Sequence, residues 1–328
     1  MGPAPFREQT GEGSVLNQIV TLTVNPAVDV CASIDRIVPS HKLRCRNTRH
    51  DAGGGGINVA RVVRRFGANP IAVFPAGGPM GQLLEKLVNR ESVSHLTIPI
   101  AGDTREDVTI DEESTGNQFR FVLPGPPLSE QEARACLDAI AAILSGGSYL
   151  VASGSLAPGL PTDFYAQVAH IAAARRALFV LDSSGSCLKV ALDAGVHLFK
   201  PSLRELEDLV GHQLPNEAAC VSAARELIAS GKTTMIALTL GERGAILVTG
   251  ESAFSATAPA AKVVSTVGAG DSFLGAFVWM LAQDKDPRDA LRLGVAAGTA
   301  ALVAPGTELC SPDDVDRLLD DVDIREIR

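Results

Sequence analysis

Short apolar strands alternate with helices along most of this chain of 328 residues. Strands are expected at 71–76, 149–152 and 178–182, and helices at 82–89, 130–144 and 164–175. The run Leu178-Phe179-Val180-Leu181 is apolar at every position, which is typical of strands buried on both faces in a parallel sheet. The alternation predicts an α/β fold: a doubly wound, mostly parallel sheet with helices on both faces.

Two β-rich segments, at about 32–51 and 104–123, interrupt this alternation. We expect them to form a small sheet that projects from the main one. In the first segment, Lys42, Arg44 and Arg46 alternate with other residues at strand spacing and would share one face. That face is either solvated or a cationic strip for a phosphate group. The small sheet could bury its exposed face in a dimer or act as a lid that excludes water.

Composition excludes several functional classes. The net charge of −9 and the pI of about 5.2 argue against a nucleic-acid surface, and no apolar run is long enough to cross a membrane. Residues 1–16 lack the apolar core of a signal peptide and are expected to be a flexible tail before one domain at 17–328. Six cysteines without a Cys-x-x-Cys pair are typical of reduced thiols, so we expect a cytoplasmic protein.

Four consecutive glycines at 53–56 precede a helix with apolar residues at Ile57, Ala60 and Val63. Such a run suits a place where a ligand touches the backbone, and the helix start behind it is an anion site. Asn58 falls in the first turn, where its amide could reach a sugar hydroxyl. The alternative is a flexible linker, although a linker rarely leads directly into an amphipathic helix.

Two aspartates are associated with the ends of buried strands. Asp29 comes shortly after the first strand, expected at 18–24, and Asp182 ends the strand at 178–182. Since ligands of open α/β sheets bind beyond the carboxyl ends of the strands, Asp29 is a candidate ligand residue. An ordinary loop aspartate is the alternative for Asp29.

A second glycine segment, Gly268-Ala269-Gly270-Asp271, precedes a buried helix late in the chain. Glycines at a helix start leave the first N–H groups bare, and these groups bind anions with the help of the helix dipole. Beside a bound phosphate, Asp271 could take the proton of an attacking hydroxyl. This indicates phosphoryl transfer from a nucleotide to an alcohol, and the alternative is an aspartate that only caps the helix.

Two other nucleotide motifs fail by spacing. A Walker loop, Gly-x-x-x-x-Gly-Lys-Ser/Thr, does not occur in the chain. The dinucleotide fingerprint Gly-x-Gly-x-x-Gly has Phe273 at its last glycine position and would lie far too late in the chain. A nicotinamide oxidoreductase is therefore disfavoured.

The two glycine segments, 53–60 and 266–272, resemble the two signatures of the ribokinase-like carbohydrate kinases of phosphofructokinase B type, and the match extends from about Val20 to Leu319. Further runs at 42–45, 74–78, 120–125 and 153–156 are similar to the minor bacterial 6-phosphofructokinases within this family. Related 1-phosphofructokinases usually have a lysine at the position of Gly55. Tagatose-6-phosphate kinases are also similar.

The resemblance implies a role for many individual residues. The catalytic base would be Asp271, with an anion hole formed by Gly268, Ala269 and Gly270. Sugar-phosphate contacts would be Asp29, Lys42, Arg44, Gly54, Gly55, Asn58, Arg105 and Ser155. Nucleotide contacts would be Lys200, Ser202, Thr239, Gly241, Gly244, Thr266, Gly268 and Gly270. Metal sites would be Glu205 and Asp182 for Mg²⁺ through water, and Ser265, Val267, Ala301 and Gly306 for a possible K⁺.

The chain departs from the family at two of these places. Ser202 stands where an asparagine that helps to hold Mg²⁺ is usual, and Ala304 and Glu308 stand in the cation loop in place of polar and basic residues. These departures put the metal position and the K⁺ dependence in question.

The resemblance implies an ATP- and Mg²⁺-dependent kinase that converts fructose 6-phosphate to fructose 1,6-bisphosphate in glycolysis. It also implies a homodimer assembled through the small sheet. The alternatives are a 1-phosphofructokinase, a tagatose-6-phosphate kinase and, in another class, a catalytically silent sugar-phosphate sensor. Asp271 within intact glycines argues against the sensor.

Overall fold

The computed structural model describes residues 16–304 and 308–327. This part of the chain contains fourteen strands and ten α-helices. In chain order they are β1 (Ile19–Leu22), β2 (Ala27–Ile34), β3 (Arg46–Gly53), α1 (Gly55–Arg65), β4 (Ile71–Ala76), α2 (Gly78–Arg90), β5 (Ser94–Pro99), β6 (Arg105–Glu112), β7 (Asn117–Val122), α3 (Glu130–Ile143), β8 (Tyr149–Ser153), α4 (Phe164–Ala174), β9 (Leu178–Asp182), α5 (Ser186–Ala194), β10 (Val196–Phe199), α6 (Leu203–Val210), α7 (Glu217–Ala229), β11 (Thr233–Thr239), β12 (Ala245–Thr249), β13 (Ala253–Thr257), α8 (Ala269–Leu281), α9 (Pro287–Leu302), α10 (Pro312–Leu319) and β14 (Asp323–Glu326).

Ten strands form the main sheet, in the order β14-β13-β12-β11-β10-β9-β8-β1-β4-β5. The strands from β5 to β11 pair in parallel, and β12, β13 and β14 complete one edge in antiparallel pairs. The carboxyl ends of the parallel strands therefore meet at one edge of the sheet, which is where such sheets bind ligands. The mostly parallel sheet expected from the sequence is present.

Helices cover both faces of the main sheet. One large apolar cluster contains residues of α1, α8, α9 and α10, and a second contains residues of α3 to α7. α8 is buried from Ser272 to Leu281, and a Cβ on Gly275 would lie 2.8 Å from Cβ of Val62. Glycine thus lets α8 approach α1 closely, which places the starts of both helices side by side. None of the described helices is long and apolar enough to cross a membrane.

The four remaining strands form a second sheet in the order β3-β2-β6-β7, which we call the lid. Its central pair, β2 and β6, is parallel from Ala27 opposite Arg105 to Ile34 opposite Glu112. β3 and β7 are antiparallel to their neighbours. The two interrupting segments thus form a separate small sheet, as the sequence predicts.

Two expectations about these strands are wrong. Asp29 is not a loop residue: β1 ends at Leu22, the chain turns at Asn25-Pro26, and Asp29 lies within β2. Lys42 and Arg44 do not share a strand face, because residues 41–45 have no regular structure and β3 begins only at Arg46. The left-handed backbone of Ser40, with φ of 62°, directly follows Pro39 and interrupts any extended run there.

Candidate active site

The proposed catalytic aspartate lies in the first turn of α8. Gly268 is the N-cap of this helix and has φ of 76°, and a Cβ there would lie 2.6 Å from Cδ2 of Leu309. Both features require glycine. Because the cap position belongs to Gly268, the alternative that Asp271 only caps the helix is wrong. Asp271 Oδ2 instead accepts a hydrogen bond of 2.9 Å from Nδ2 of Asn58.

Several charged groups surround the Asp271 carboxylate. Burial, together with the Asp182 carboxylate, raises the pKa of Asp271 to about 6, although the Asn58 hydrogen bond and the charges of Lys200 and Arg120 oppose this shift. Asp271 is therefore mostly ionised at neutral pH, as a proton acceptor must be.

Lys200 places a positive charge beside the start of α8. Its Nζ lies 3.1 Å from Oδ1 of Asp182 and 3.6 Å from where a Cβ of Gly270 would be. Burial alone would lower the pKa of Lys200, but the carboxylates of Asp182, Asp271 and Glu205 outweigh it and hold this pKa above its ordinary value. The ammonium thus remains charged next to the candidate anion hole.

Two cavities meet at the start of α8. The first, which we call the polar cavity, has a volume of about 330 Å³ and is lined by Gly268 and Asp271, among others. The second, the apolar cleft, has a volume of about 770 Å³ and is lined by Ala269 and Gly270. The bare N–H groups of one helix turn therefore lie between two binding spaces, and a group passing from one space to the other would pass them.

Most of the predicted nucleotide residues line the apolar cleft, namely Ser202, Thr239, Gly241, Gly244 and Gly270. Much of the remaining lining is apolar and comes from segment 258–263 and from α8 and α9. Gly244 has φ of 97°, and a Cβ there would lie 2.0 Å from the carbonyl oxygen of Ala256, so glycine is required. Thr266 is exposed and lines neither cavity.

The predicted sugar residues divide into two groups. Gly54, Gly55, Asn58, Arg105 and Ser155 line the polar cavity. Lys42 and Arg44 are exposed and line neither cavity, and Asp29 is buried in the lid without lining the polar cavity.

Asp29 nevertheless lies near two residues that line the polar cavity, Asp107 and Arg120. A Cβ on Gly53 would lie 2.5 Å from its Cγ, so the carboxyl group packs against glycine backbone. Burial and the neighbouring carboxylates of Asp107 and Asp51 raise the pKa of Asp29 to about 7, against the opposing charges of Arg120 and Arg61.

Arg105 is held firmly by the protein itself. Its Nη1 donates to Oδ1 of Asp107 over 2.7 Å and to the carbonyl of Leu123 over 3.0 Å, and its Nη2 donates to the carbonyl of Asn25 over 3.2 Å. Its Nε is buried without a partner. These contacts fix the guanidinium group at the wall of the polar cavity.

Arg120 is a candidate site residue that the sequence reasoning missed. It lines the polar cavity, and its charge acts on both Asp29 and Asp271. The signal was present, because residues 117–122 alternate and Gln118, Arg120 and Val122 fall on one face of β7. Nothing in the sequence, however, showed that this face points toward the start of α8.

Gly55 packs tightly against the end of β8. A Cβ on Gly55 would lie 2.1 Å from Oγ of Ser153, which itself donates to Oδ2 of Asp182 over 3.3 Å. Any side chain at this position would displace Ser153.

Carboxylates suited to Mg²⁺ are present at the polar cavity. Asp182 and Glu205 both line it, and carboxylate oxygens are the ligands that Mg²⁺ prefers. Glu205 Oε2 also accepts from the backbone N–H of Ser202 over 2.8 Å, in a capping box that begins α6. Within the ranges 16–304 and 308–327, no cluster of three or more His, Cys, Asp or Glu side chains could hold a metal.

The loop before α8 holds the other predicted cation residues. Oγ of Ser265 accepts from the backbone N–H of Val267 over 3.2 Å, and the backbone N–H of Ser265 donates to the carbonyl of Leu302. Ala301 is buried close by in α9, and Gly306 lies outside the described residues. The lid reaches the same region, since Gln118 Nε2 donates to Ser265 Oγ over 3.3 Å and Arg49 pairs with Glu308.

Comparison with known proteins settles the family. The profile described as pfkB family carbohydrate kinase matches residues 22–314. This chain belongs to that family. The expected phosphotransferase class, with an alcohol group as acceptor, is thereby confirmed.

Its relatives in the pfkB family include the ATP-dependent 6-phosphofructokinase isozyme 2 of Mycobacterium tuberculosis, which is 42% identical over 92% of this chain and 89% of its own length. The isozyme 2 of Escherichia coli is 39% identical over 92% of this chain and 97% of its own length. A 1-phosphofructokinase of Xanthomonas campestris is 32% identical over 91% of this chain and 95% of its own length.

Solved structures confirm the ribokinase-like fold of this pfkB member. The crystal structure of phosphofructokinase-2 from E. coli in complex with potassium superposes with a TM-score of 0.89 at 38% identity, covering 93% of this chain and 99% of that one. The ribokinase of Arabidopsis thaliana superposes with a TM-score of 0.71 at 19% identity, covering 93% and 99%, and supports the fold alone.

Proposed function

We propose that this chain is an ATP-dependent 6-phosphofructokinase. The observation that carries the proposal is the position of Asp271 and the start of α8 between the apolar cleft and the polar cavity. The cleft has a volume typical of nucleotide-sized ligands. The relatives named above at 42% and 39% identity carry this activity in their names.

In this proposal the nucleotide lies in the apolar cleft and directs its terminal phosphate toward Gly268, Ala269 and Gly270. The N–H groups there and the Lys200 ammonium face the charge that moves during transfer. Asp271 accepts the proton of the attacking hydroxyl. Bound Mg²⁺ supplies neutralisation of phosphate charge, and Asp182 and Glu205 would hold it through water.

Fructose 6-phosphate is the acceptor that we propose. Arg105 and Arg120 line the polar cavity and offer planar guanidinium groups suited to a phosphate. Gly54, Asn58 and Ser155 offer backbone and polar groups to the sugar hydroxyls. The glycine at position 55, where 1-phosphofructokinases carry a lysine, favours the 6-phosphate over fructose 1-phosphate.

Turnover of a panel of acceptors tests this proposal. Purified protein with ATP and Mg²⁺ should phosphorylate fructose 6-phosphate with a higher kcat/KM than fructose 1-phosphate or tagatose 6-phosphate, and ³¹P NMR should place the new phosphate on C1. A preference for another acceptor would reassign the substrate. Binding of fructose 6-phosphate without any consumption of ATP would support the silent sensor.

We also propose that two copies associate through the lid. Its outer face carries Phe119 and Phe121, which lie opposite Ile110 and Val108 of β6, while the opposite face carries Asp107 and Arg120. Phe121 is 52% exposed, which a second copy would relieve. A K⁺ site is proposed at the loop of Ser265 and Val267, next to Ala301.

A further inference from the structure

A buried arginine lies directly behind the candidate catalytic residues. The side chain of Arg61, in α1, is 2% exposed. Its Nη1 donates to Oδ1 of Asn58 over 2.9 Å and to the carbonyl of Ala52 over 2.8 Å. Its Nε donates to Oε1 of Glu91 over 2.7 Å, at the end of α2. The guanidinium therefore joins α1 and β3 to the end of α2.

Arg61 determines which way the Asn58 amide points. A guanidinium has only donors, so the Asn58 atom that faces it must be the acceptor Oδ1. The Nδ2 group then faces Asp271 and donates to its Oδ2. In the opposite orientation, the Oδ1 of Asn58 would face a carboxylate, and Asp271 would lose its hydrogen bond. Both hydrogen bonds, from Arg61 to Asn58 and from Asn58 to Asp271, therefore form in only one orientation of the Asn58 amide.

We propose that Arg61 is a positioning residue for the reaction, which acts through Asn58 to hold the Asp271 carboxylate in the orientation that accepts the hydroxyl proton. This inference rests on the proposed kinase function. Arg61 lines neither cavity, so its proposed action on the reaction passes through Asn58 and not through contact with a substrate.

A purely structural role is the competing explanation. Arg61 pairs with Glu91, whose other oxygen Oε2 accepts from Nη2 of Arg65 over 3.1 Å, so the ion pair could simply tie α1 to α2. Glu91 provides the matched control, because it contacts Arg61 on the side away from Asn58. Glu91→Gln weakens the ion pair and leaves the bond between Arg61 and Asn58 in place.

The experiment compares steady-state kinetics of Arg61→Gln and Glu91→Gln with those of the wild type. The wild type is assayed first with ATP, Mg²⁺ and fructose 6-phosphate, and absence of turnover there would overturn the proposed function rather than this inference. Arg61→Gln should lower kcat about ten- to a hundredfold, the value of one hydrogen bond to a charged group, with both KM values within about threefold. Glu91→Gln should keep kcat within about threefold while lowering Tm. Equal losses of kcat in the two variants, or a loss in Arg61→Gln that appears only in KM, would overturn the proposal.

A double-mutant cycle covers the case in which Arg61→Gln folds poorly. Arg61→Lys keeps the charge and is combined with Asn58→Ala, which removes the connecting amide. If Arg61 acts through Asn58, Arg61→Lys lowers kcat in the wild-type background and has little further effect in Asn58→Ala. The same loss of kcat in both backgrounds would show that the action does not pass through Asn58, and would overturn the proposal.

Discussion

Asp271 must be ionised to accept a proton, and its surroundings set the pH at which this holds. With its pKa raised to about 6, wild-type kcat/KM should fall as the pH drops below about 6, because the protonated carboxyl group cannot act as a base. Asp271→Asn should lower kcat by about 10² to 10⁴ while both substrates still bind within a few fold. A pH–rate profile and calorimetric binding check both statements. A variant that kept more than about a tenth of wild-type kcat would exclude Asp271 as the base.

Asp29 connects the chemistry of the site to the stability of the fold. Its pKa is about 7 in the folded protein and 3.8 as the ordinary value, so the folded state binds this proton more tightly. Stability should therefore fall as the pH rises from about 4 to 7, the sign expected for a raised carboxyl pKa. Asp29→Asn removes this loss and should be more stable than the wild type at pH 8 by up to about 4 kcal/mol, at 1.36 kcal/mol per pKa unit. Urea unfolding of both proteins at pH 4.5 and pH 8 measures the difference, which should be small at the lower pH.

Gly55 should tolerate no side chain while Ser153 keeps its present position. Gly55→Ala brings a Cβ to 2.1 Å from Oγ of Ser153 and should cost about 1–3 kcal/mol of stability and much of the activity. Adding Ser153→Gly should restore part of both. Gly250→Ala is the control, since a Cβ on Gly250 meets nothing within 4 Å. The Tm and kcat of the three variants test this prediction. Values for Gly55→Ala that match those of Gly250→Ala would contradict the packing argument.

At the scale of single elements, α6 joins helix capping to the proposed metal site. Ser202 Oγ accepts from the backbone N–H of Glu205, so Ser202→Ala should destabilise the protein by about 0.5–2 kcal/mol. Ser202→Asn keeps a capping oxygen and adds a longer amide, so it should keep the Tm and lower the Mg²⁺ concentration needed for half-maximal activity. Turnover of Ser202→Asn measured over a range of Mg²⁺ concentrations tests this prediction. If the Mg²⁺ concentration for half-maximal activity rises or does not change, Glu205 and Asp182 position the metal without a contribution from residue 202.

The sequence predicts elements well where apolar spacing is regular. The strands at 71–76 and 178–182 have the expected bounds, and the expected helices at 130–144 and 164–175 each end one residue earlier. The prediction fails at β2. After β1 the chain leaves the main sheet, turns at Asn25-Pro26 and enters the lid as β2, and the local sequence at this break resembles that of a loop. The prediction fails also at 41–45, where charged residues alternate without any strand partner. Which strands pair with each other depends on contacts between residues far apart in the sequence, and the apolar spacing within one segment carries no information about these contacts.

The candidate site was predictable where backbone geometry demands a particular residue. Gly244 and Gly268 have positive φ and crowded surroundings, and such glycines stand out in a sequence. The roles of Arg120 and Arg61 were not predictable. The position of Arg120 at the site depends on the direction in which one face of β7 points. Arg61 is a buried charged residue in a helix whose sequence looks ordinary. Lys42 and Arg44 were predicted from the alternation of charged residues and from the family resemblance, and both lie at exposed positions that line neither cavity.

At the scale of the whole molecule, the lid's outer face should decide the oligomeric state. Phe121→Asp places a charge in the centre of this apolar face and should shift a dimer toward monomer. Val190→Asp is the control, because Val190 is an exposed apolar residue on α5, outside the lid. Sedimentation velocity at micromolar concentration compares the variants with the wild type. A fully active wild-type monomer would contradict the proposed dimer.

The arrangement of the two cavities around α8 has a consequence for synthesis of the protein. The lid and the glycine run before α1 are complete once residue 122 has been made, whereas the start of α8 follows only after residue 268. Synthesis proceeds from the N-terminus, so the other residues that line the polar cavity, from Thr23 to Glu205, are made first. An incomplete chain on the ribosome therefore lacks the base and the anion hole until the start of α8 has been made.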